Sequence, residues 1–270
     1  MAPQVKVGLA LGGGFARGIA HIGVLQALVA HRIPIDYVAG TSAGSLVGAM
    51  FCAGLDPWLM ERICEQLNWR ALVRLKLRRD GLLDAEGLER FILGNMGDVQ
   101  FKELKLPFTA TATDLLTGSE VLLTNGRVST AVRASCAFPG IFLPVRVGTH
   151  TLVDGGLCHP VPATVVRRMG AEMVIGVELN RPGPTGKPLR NLLHIMLQSL
   201  ALVQRPQVEK SLREADVFIQ PTLHDFSVME LERVEDMVRA GREAAEAAMP
   251  DVLAAMDRIA ADRKELPPLE

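Results

Sequence analysis

Residues 40–44 read Gly-Thr-Ser-Ala-Gly, a Gly-x-Ser-x-Gly motif between two segments of different character. The apolar residues 35–39 before it predict a buried β-strand, and the small and apolar residues 45–54 after it predict a helix. A serine at such a turn has a strained backbone and an exposed hydroxyl, and flanking glycines let the strand and the helix approach it. The motif therefore predicts Ser42 as a nucleophile, with Gly40 and Gly44 as the supporting glycines.

A second strand–helix unit is predicted earlier in the chain. Residues 5–11 read as an apolar strand, a run of three glycines follows, and residues 17–31 read as a helix. Two successive units of this kind predict an α/β fold with a parallel sheet covered by helices. Further strands are expected at 108–113, 120–124, 145–153, 173–179 and 217–220, further helices near 129 and at 162–169, 189–212 and 229–263, and a loop at 181–188.

The length and composition suit one large domain. We expect a single domain over residues 1–270, with a core at about 5–225, a helical insertion at about 56–105 and a C-terminal helical segment at about 229–263. A formal net charge of -1 argues against a general nucleic-acid-binding protein. The uncharged residues 38–55 approach the length of a membrane span, but they contain the serine motif and predict a buried strand and helix instead.

The cysteines and the first residues indicate a compartment. The N-terminus leads into the first strand without a basic region or a cleavage site, which predicts a cytoplasmic rather than a secreted protein. The four cysteines are widely spaced and predict reduced thiols rather than disulfides or metal ligands: Cys52, Cys64, Cys136 and Cys158. No ligand-spaced cluster of His and Cys residues suggests a metal site or an organic cofactor.

The glycine run at Gly12, Gly13 and Gly14 is the first candidate partner of Ser42. Backbone N–H groups at such a turn can hold a phosphate or the oxyanion of an acyl-transfer intermediate, and the alternative is a purely structural turn. A dinucleotide fingerprint requires a glycine at the position of Arg17 and an acidic residue after the second strand, and this chain has neither. Because loops after neighbouring parallel strands meet at one edge of a sheet, we expect an oxyanion hole here. Arg17 either anchors this loop, adds positive charge to it, or is a solvated helix residue.

A serine nucleophile requires a base, and two kinds of candidate are present. His224 follows the strand predicted at 217–220 and would complete a Ser–Asp–His order, whereas His194 lies in an apolar helical pattern typical of a packed side chain. Asp154 ends a predicted strand and precedes two glycines. It is either the turn of a hairpin or a carboxylate presented to the neighbouring loop, with a pKa that partial burial would raise.

Together these segments resemble the patatin-like phospholipase family over about residues 5–225. The matching motifs are residues 12–18 (the family's oxyanion loop), residues 40–44 (its nucleophile elbow) and Asp154 with Gly155 and Gly156 (its dyad acid), in the family's order and approximate spacing. Residues 133–140 also resemble a segment of bacterial members. The resemblance implies a three-layer α/β/α sandwich with a mainly parallel central sheet.

The resemblance further implies a serine lipid acyl hydrolase of phospholipase A or lysophospholipase type. Ser42 and Asp154 would form a dyad without a catalytic histidine, metal or cofactor, and the amides of Gly13, Gly14 and their neighbours would hold the oxyanion. Many members have asparagine where this chain has His159, which places that histidine near the site in a supporting role. The alternative is a regulatory or adaptor protein that keeps the fold but turns over little substrate.

Residues 69–79 mix basic and apolar side chains. They are either the solvated face of a helical cap or a contact with anionic lipid headgroups. The second interpretation predicts peripheral contact with the inner membrane surface and a lipid or fatty-acyl ester as the substrate.

Overall fold

The computed structural model describes residues 5–67, 74–78, 81–180 and 192–265. The strands in these ranges are β1 (Val7–Leu11), β2 (Tyr37–Thr41), β3 (Arg74–Arg78), β4 (Gly81–Asp84), β5 (Phe108–Asp114), β6 (Glu120–Leu123), β7 (Val145–Val147), β8 (His150–Asp154), β9 (Met173–Val177) and β10 (Val217–Ile219). The α-helices are α1 (Ala20–Ala30), α2 (Ala43–Cys52), α3 (Pro57–Glu65), α4 (Glu86–Met96), α5 (Val128–Ser135), α6 (Ala163–Arg168), α7 (Leu192–Glu214) and α8 (Val234–Glu265). Short 3-10 helices occupy Phe15–Ile19, Phe101–Glu103 and Gly155–Leu157.

The central sheet has eight strands and is mainly parallel, as predicted. Strands β10, β9, β1, β2 and β5 lie side by side in that order, and each neighbouring pair is parallel. β5 also pairs antiparallel with β6 and β8, and β8 pairs antiparallel with β7. The loops that follow β1 and β2 therefore lie at the same edge of the sheet.

Helices cover both faces of this sheet, because its central strands alternate between two apolar cores. Side chains such as Leu9 and Ile175 pack on one face with α1, α2 and α8. Ala10 and Val174 pack on the opposite face against Val166 and its neighbours on α6. Because side chains on both faces of β1 and β9 are buried, these two strands are apolar along their whole length. The architecture is the expected α/β/α sandwich.

Residues 56–105 contain strands as well as helices. α3 begins at the Asp56 cap, whose carboxylate accepts the N–H groups of Trp58 and Leu59, with Pro57 at the first helical position. Between α3 and α4, β3 and β4 form a separate antiparallel sheet, so a purely helical insertion is not what the structure contains. The predicted loop at 181–188 and most of the basic segment at 69–79 lie outside the described residues.

The strand and helix at residues 38–55 are β2 and α2, packed within the sandwich, rather than a membrane span. Over the ranges that the structure describes, every helix is too short or too polar to cross a bilayer.

Candidate active site

The turn between β2 and α2 has the geometry that the serine motif predicts. Ser42 adopts φ 52° and ψ -123°, a conformation that costs a non-glycine residue energy. A Cβ atom on Gly40 would lie 2.5 Å from the Gly44 carbonyl oxygen, and one on Gly44 would lie 2.2 Å from the Leu11 carbonyl oxygen. Only glycine fits at these two positions, and their absent side chains let β1 and α2 approach the serine.

The backbone N–H and carbonyl groups of Ser42 are both hydrogen-bonded. Its carbonyl oxygen accepts the Ser45 hydroxyl at 2.6 Å and the N–H groups of Ser45 and Leu46. Its N–H donates to the Ser135 hydroxyl at 2.9 Å. Ser135 was not singled out from the sequence as a site residue, although it lies in the 133–140 segment.

Asp154 is placed beside Ser42 by the sheet itself. Thr41 of β2 pairs with Thr111 of β5, and Asp154 of β8 pairs with Ala112, the next residue of β5. Because β6 occupies the other edge of β5 at these positions, β2 and β8 share one edge and end facing each other. Asp154 is thus the last residue of β8 and is not in the turn between β7 and β8, so the hairpin-turn interpretation is wrong.

The Asp154 carboxyl group is buried and has a raised pKa. Only 4% of the residue is exposed, and this burial raises its pKa to about 6, against hydrogen bonds from the Ser42 side chain and the Gly156 amide that lower it. The Gly156 N–H lies 2.8 Å from Oδ1. At Gly155 a Cβ atom would lie 2.2 Å from the Thr111 hydroxyl oxygen, so glycine is required there as well. A carboxylate in contact with a hydroxyl and with a pKa near neutrality is suited to general-base chemistry.

The glycine run lies against Ser42, but two of its amides are already used. Gly12 N–H donates to the Val177 carbonyl and Gly13 N–H to the Pro160 carbonyl, both at 3.0 Å. These bonds tie the loop to β9 and to the segment after Asp154. The expectation that the amides of Gly12 and Gly13 hold the oxyanion is therefore corrected, because an N–H engaged in this way does not point at a ligand.

The next two amides remain available. Among the described residues, the N–H groups of Gly14 and Phe15 have no acceptor, and both residues line a pocket together with Ser42 and Asp154. They are the first positions of a helical turn, where N–H groups have no partner within the helix. Phe15 has φ 50°, so its backbone is also in the left-handed region. Gly14 fits the predicted oxyanion role, and Phe15 is an addition that sequence reasoning did not name.

Arg17 anchors the loop and does not reach the site. Its Nη2 and Nε donate to the Phe226 carbonyl oxygen at 2.7 and 3.1 Å, and its Nη1 donates to Asn180 Oδ1 at 3.3 Å. Burial lowers the pKa of Arg17. Its assignment to the oxyanion hole is corrected, and the anchoring alternative is the one that the contacts favour.

His159 faces away from the dyad. Its ring lies 2.5 Å from the Glu120 carboxylate, which also pairs with Arg168. This cluster lies at the surface, and its contacts keep the His159 ring away from Ser42 and Asp154.

Among the described side chains, none of the other histidines contacts the dyad. His224 is on the surface beside Asp225, so the Ser–Asp–His order does not become a triad. His21 is buried with Nε2 at 2.8 Å from the Gly12 carbonyl oxygen, and burial lowers its pKa to about 4. The His194 side chain lies outside the described part of the chain. Among the side chains that are described, no histidine is hydrogen-bonded to Ser42 or Asp154.

An apolar cavity opens from Ser42 toward the insertion. It lies between the turn at Phe15–Ile19, α2 and the helices α3 and α4. Its lining includes Leu46, Met50, Leu88, Phe91 and Phe142. Cys64 and Cys136 also line this cavity, and all four cysteines are free thiols. No group of three potential metal ligands is found in the described residues.

A family model for patatin-like phospholipases matches residues 9–167, which include the glycine run, Ser42 and Asp154. The chain belongs to the patatin-like phospholipase family. An uncharacterized NTE family protein of Mycobacterium tuberculosis is 38% identical over 190 residues, which are 69% of this chain and 52% of the relative. Neuropathy target esterase of Drosophila melanogaster is 30% identical over 188 residues, which are 67% of this chain and 13% of that protein.

The crystal structure of VipD from Legionella pneumophila has the same fold. It matches with a TM-score of 0.59 at 14% identity, over 95% of this chain and 67% of VipD. This patatin-like chain spans about half the length of the mycobacterial relatives that it matches.

Proposed function

We propose that this patatin-like chain is a serine lipid acyl hydrolase of phospholipase A or lysophospholipase type. The observation that carries the proposal is the contact between Ser42, on its strained elbow, and the buried Asp154 carboxyl group, whose pKa is raised to about 6. The amides of Gly14 and Phe15, for which the described part of the chain offers no acceptor, line the same pocket, where they support an oxyanion hole.

The mechanism follows from this arrangement in two steps. Ionised Asp154 takes the Ser42 proton as Oγ attacks the ester carbonyl carbon, and the Gly14 and Phe15 amides stabilise the negative oxygen. The tetrahedral intermediate collapses to an acyl-serine, and the proton passes from Asp154 to the departing alcohol. Water then attacks the acyl-serine, gives a proton to Asp154, and releases the fatty acid with Ser42 reprotonated.

The apolar cavity supports a fatty-acyl substrate. Ser42 is one of its lining residues, and most of the others are apolar side chains, including those of α2, α4 and the turn at Phe15–Ile19. An acyl chain bound there would remove apolar surface from water at about 25 cal/mol per Å². The polar side of the substrate would remain in the other pocket, which Asp154, Glu178 and Asn180 line.

A helix with an exposed apolar face supports peripheral membrane contact. One face of α7 lines the Ser42 pocket, through Ala201, Gln204 and Val208. Its outer face exposes large apolar side chains at helical spacing: Ile195, Met196, Leu202 and Val203. A lipid surface bound to this face would lie next to the pocket in which esters are cleaved. Location on the cytoplasmic side, at the inner membrane surface, is part of the same proposal.

Activity-based labelling tests the proposed function. A fluorophosphonate probe and release of fatty acid from phospholipid and lysophospholipid are measured for wild type, Ser42→Ala, Asp154→Asn and the surface control Ser119→Ala. The proposal expects labelling and fatty-acid release by wild type and the control, loss of both in Ser42→Ala, and strong reduction in Asp154→Asn. A wild-type chain that neither labels nor releases fatty acid would contradict the proposal and favour the adaptor alternative.

A further inference from the structure

The peptide between Gly13 and Gly14 is held from outside the active-site loop. The Gly13 carbonyl oxygen accepts a hydrogen bond from Asn180 Nδ2 at 2.8 Å. In a trans peptide the carbonyl of one residue and the N–H of the next point in opposite directions. The bond to Asn180 therefore sets the direction of the Gly14 N–H, one of the two amides of the glycine loop for which the described residues provide no acceptor.

Within the described ranges, this peptide makes no other hydrogen bond. Gly13 and Gly14 carry no side chains, so rotation of the plane between them meets few steric barriers. The Gly13 N–H is fixed by the Pro160 carbonyl, but that bond belongs to the preceding peptide. If the Gly13–Gly14 plane turned over, it would direct a carbonyl oxygen where a donor is needed, and an oxyanion would be repelled.

The orientation of the Asn180 amide is determined by its neighbours. A guanidinium can only donate and a carbonyl oxygen can only accept, so Oδ1 must face Arg17 and Nδ2 must face Gly13. The Asn180 backbone N–H in turn donates to Glu178 Oε1 at 2.5 Å. Arg17 is itself held by the Phe226 carbonyl. A charged donor at one end of such a chain polarises the bonds that follow it.

We propose that Asn180 is a positioning residue for the oxyanion hole, which transmits the anchorage of Arg17 to the Gly13 carbonyl and so aims the Gly14 N–H. The inference rests on the proposed hydrolase function. It gives Arg17 an effect on the reaction although its guanidinium does not reach the site.

Two substitutions separate this role from simple packing. Asn180→Asp keeps the shape of the side chain and the contact with Arg17, but its carboxylate cannot donate to the Gly13 carbonyl. Asn180→Leu is similar in size and has no polar atoms. If Asn180 only holds Arg17, the aspartate variant should behave like wild type, whereas a positioning residue makes both variants slow.

The experiment is steady-state hydrolysis of the soluble ester 4-nitrophenyl butyrate, with the rate of fluorophosphonate labelling as a second readout. Removing one oxyanion donor costs about 10²–10³ in kcat, so a misdirected donor is expected to lower kcat roughly 10- to 100-fold in both variants, with KM within about 3-fold. Labelling should slow in parallel, because the phosphonyl oxygen occupies the same position. In Asn180→Leu the pH midpoint of the rate should stay that of wild type, since Asp154 is untouched.

The controls are Asn125→Asp and Asn125→Leu, at an exposed position outside the Ser42 pocket. An Asn180→Asp rate within 3-fold of wild type would overturn the inference, as would an effect on KM alone. If Asn180→Leu does not fold, the aspartate variant still decides. A wild-type chain without esterase activity or labelling would instead contradict the proposed function.

Discussion

The Thr41 hydroxyl donates to the carbonyl oxygen of His159 at 2.7 Å and lies 2.7 Å from the Thr111 hydroxyl. This contact joins the residue before Ser42 to the loop that follows Asp154. Strand pairing to β5 and this side-chain bond therefore hold both members of the dyad on rigid elements, rather than on independent loops. His159 makes this contact with its backbone carbonyl oxygen. The contact therefore does not depend on the side chain, so a histidine is accommodated at this position.

The pH dependence of the reaction should report Asp154. Its pKa is raised to about 6 by burial, and only the ionised carboxylate can accept the Ser42 proton. We expect kcat/KM for a soluble ester to fall about tenfold per pH unit below pH 6 and to be level above pH 7. Initial rates between pH 4.5 and 8.5 measure this, and a profile that is level down to pH 4.5 would contradict it.

The same residue should reduce stability when it is ionised. The folded-state pKa, about 6, lies above the ordinary value of 3.8, so folding favours the protonated form. The stability that Asp154 contributes is fully present below about pH 4 and is lost as the pH rises through about 6. Asp154→Asn should therefore be more stable than wild type by up to about 3 kcal/mol above pH 7, and similar to it near pH 4.

Urea unfolding of wild type and Asp154→Asn at pH 4 and pH 8 measures this difference directly. Other titrating groups, such as buried His21, affect both proteins equally and cancel in the comparison. A stability difference that does not grow with pH would show that burial of the Asp154 charge is not costly.

Two glycine substitutions should have opposite effects. Gly44→Ala would place a Cβ atom 2.2 Å from the Leu11 carbonyl oxygen, so we expect a loss of at least about 2 kcal/mol of stability and of esterase activity. Gly94→Ala, within α4, meets nothing within 4 Å and should stabilise the protein by about 0.5–1 kcal/mol, because alanine favours helices. Thermal and urea unfolding measure both. A tolerated Gly44→Ala would contradict the close approach of β1 and α2.

The exposed apolar face of α7 predicts that substitutions there weaken lipid binding without slowing the hydrolysis of soluble esters. Leu202→Gln with Val203→Gln should weaken binding to phospholipid vesicles roughly tenfold, because two apolar side chains lose their burial in the lipid, while hydrolysis of soluble esters stays within about 2-fold. Vesicle sedimentation and fatty-acid release from vesicles measure this.

The matched control for the α7 face is Leu253→Gln, an exposed leucine on α8. Unchanged vesicle binding in the α7 variant would remove the lipid-surface proposal. A change in molecular mass by light scattering, without a change in vesicle binding, would assign this face to a second copy of the chain.

Local patterns in the sequence were sufficient for the elbow and most of the elements. The glycine spacing around Ser42 and the apolar runs of β1 and β9 depend on sterics and burial that act over a few residues, so these features were predicted to within a few positions. The β3–β4 pair was missed although basic residues alternate with leucines at Arg74–Arg78, a period-2 pattern typical of a strand. The segment was assigned to a helical insertion because it lies between two helical patterns.

The amino-acid sequence by itself determined the sheet type and the serine turn, since each follows from residue types at short range. Asp154 was selected as the base only through the family resemblance, and strand pairing to β5 places it beside Ser42. Only the tertiary structure decided which amides are free and which side chains aim them. The N–H groups of Gly12 and Gly13 donate to the carbonyl oxygens of Val177 and Pro160, and the Arg17 guanidinium donates to that of Phe226. All three acceptors are far along the chain from the glycine loop. A donor takes the acceptor that the fold brings to it, and that choice is not encoded in the neighbouring residues.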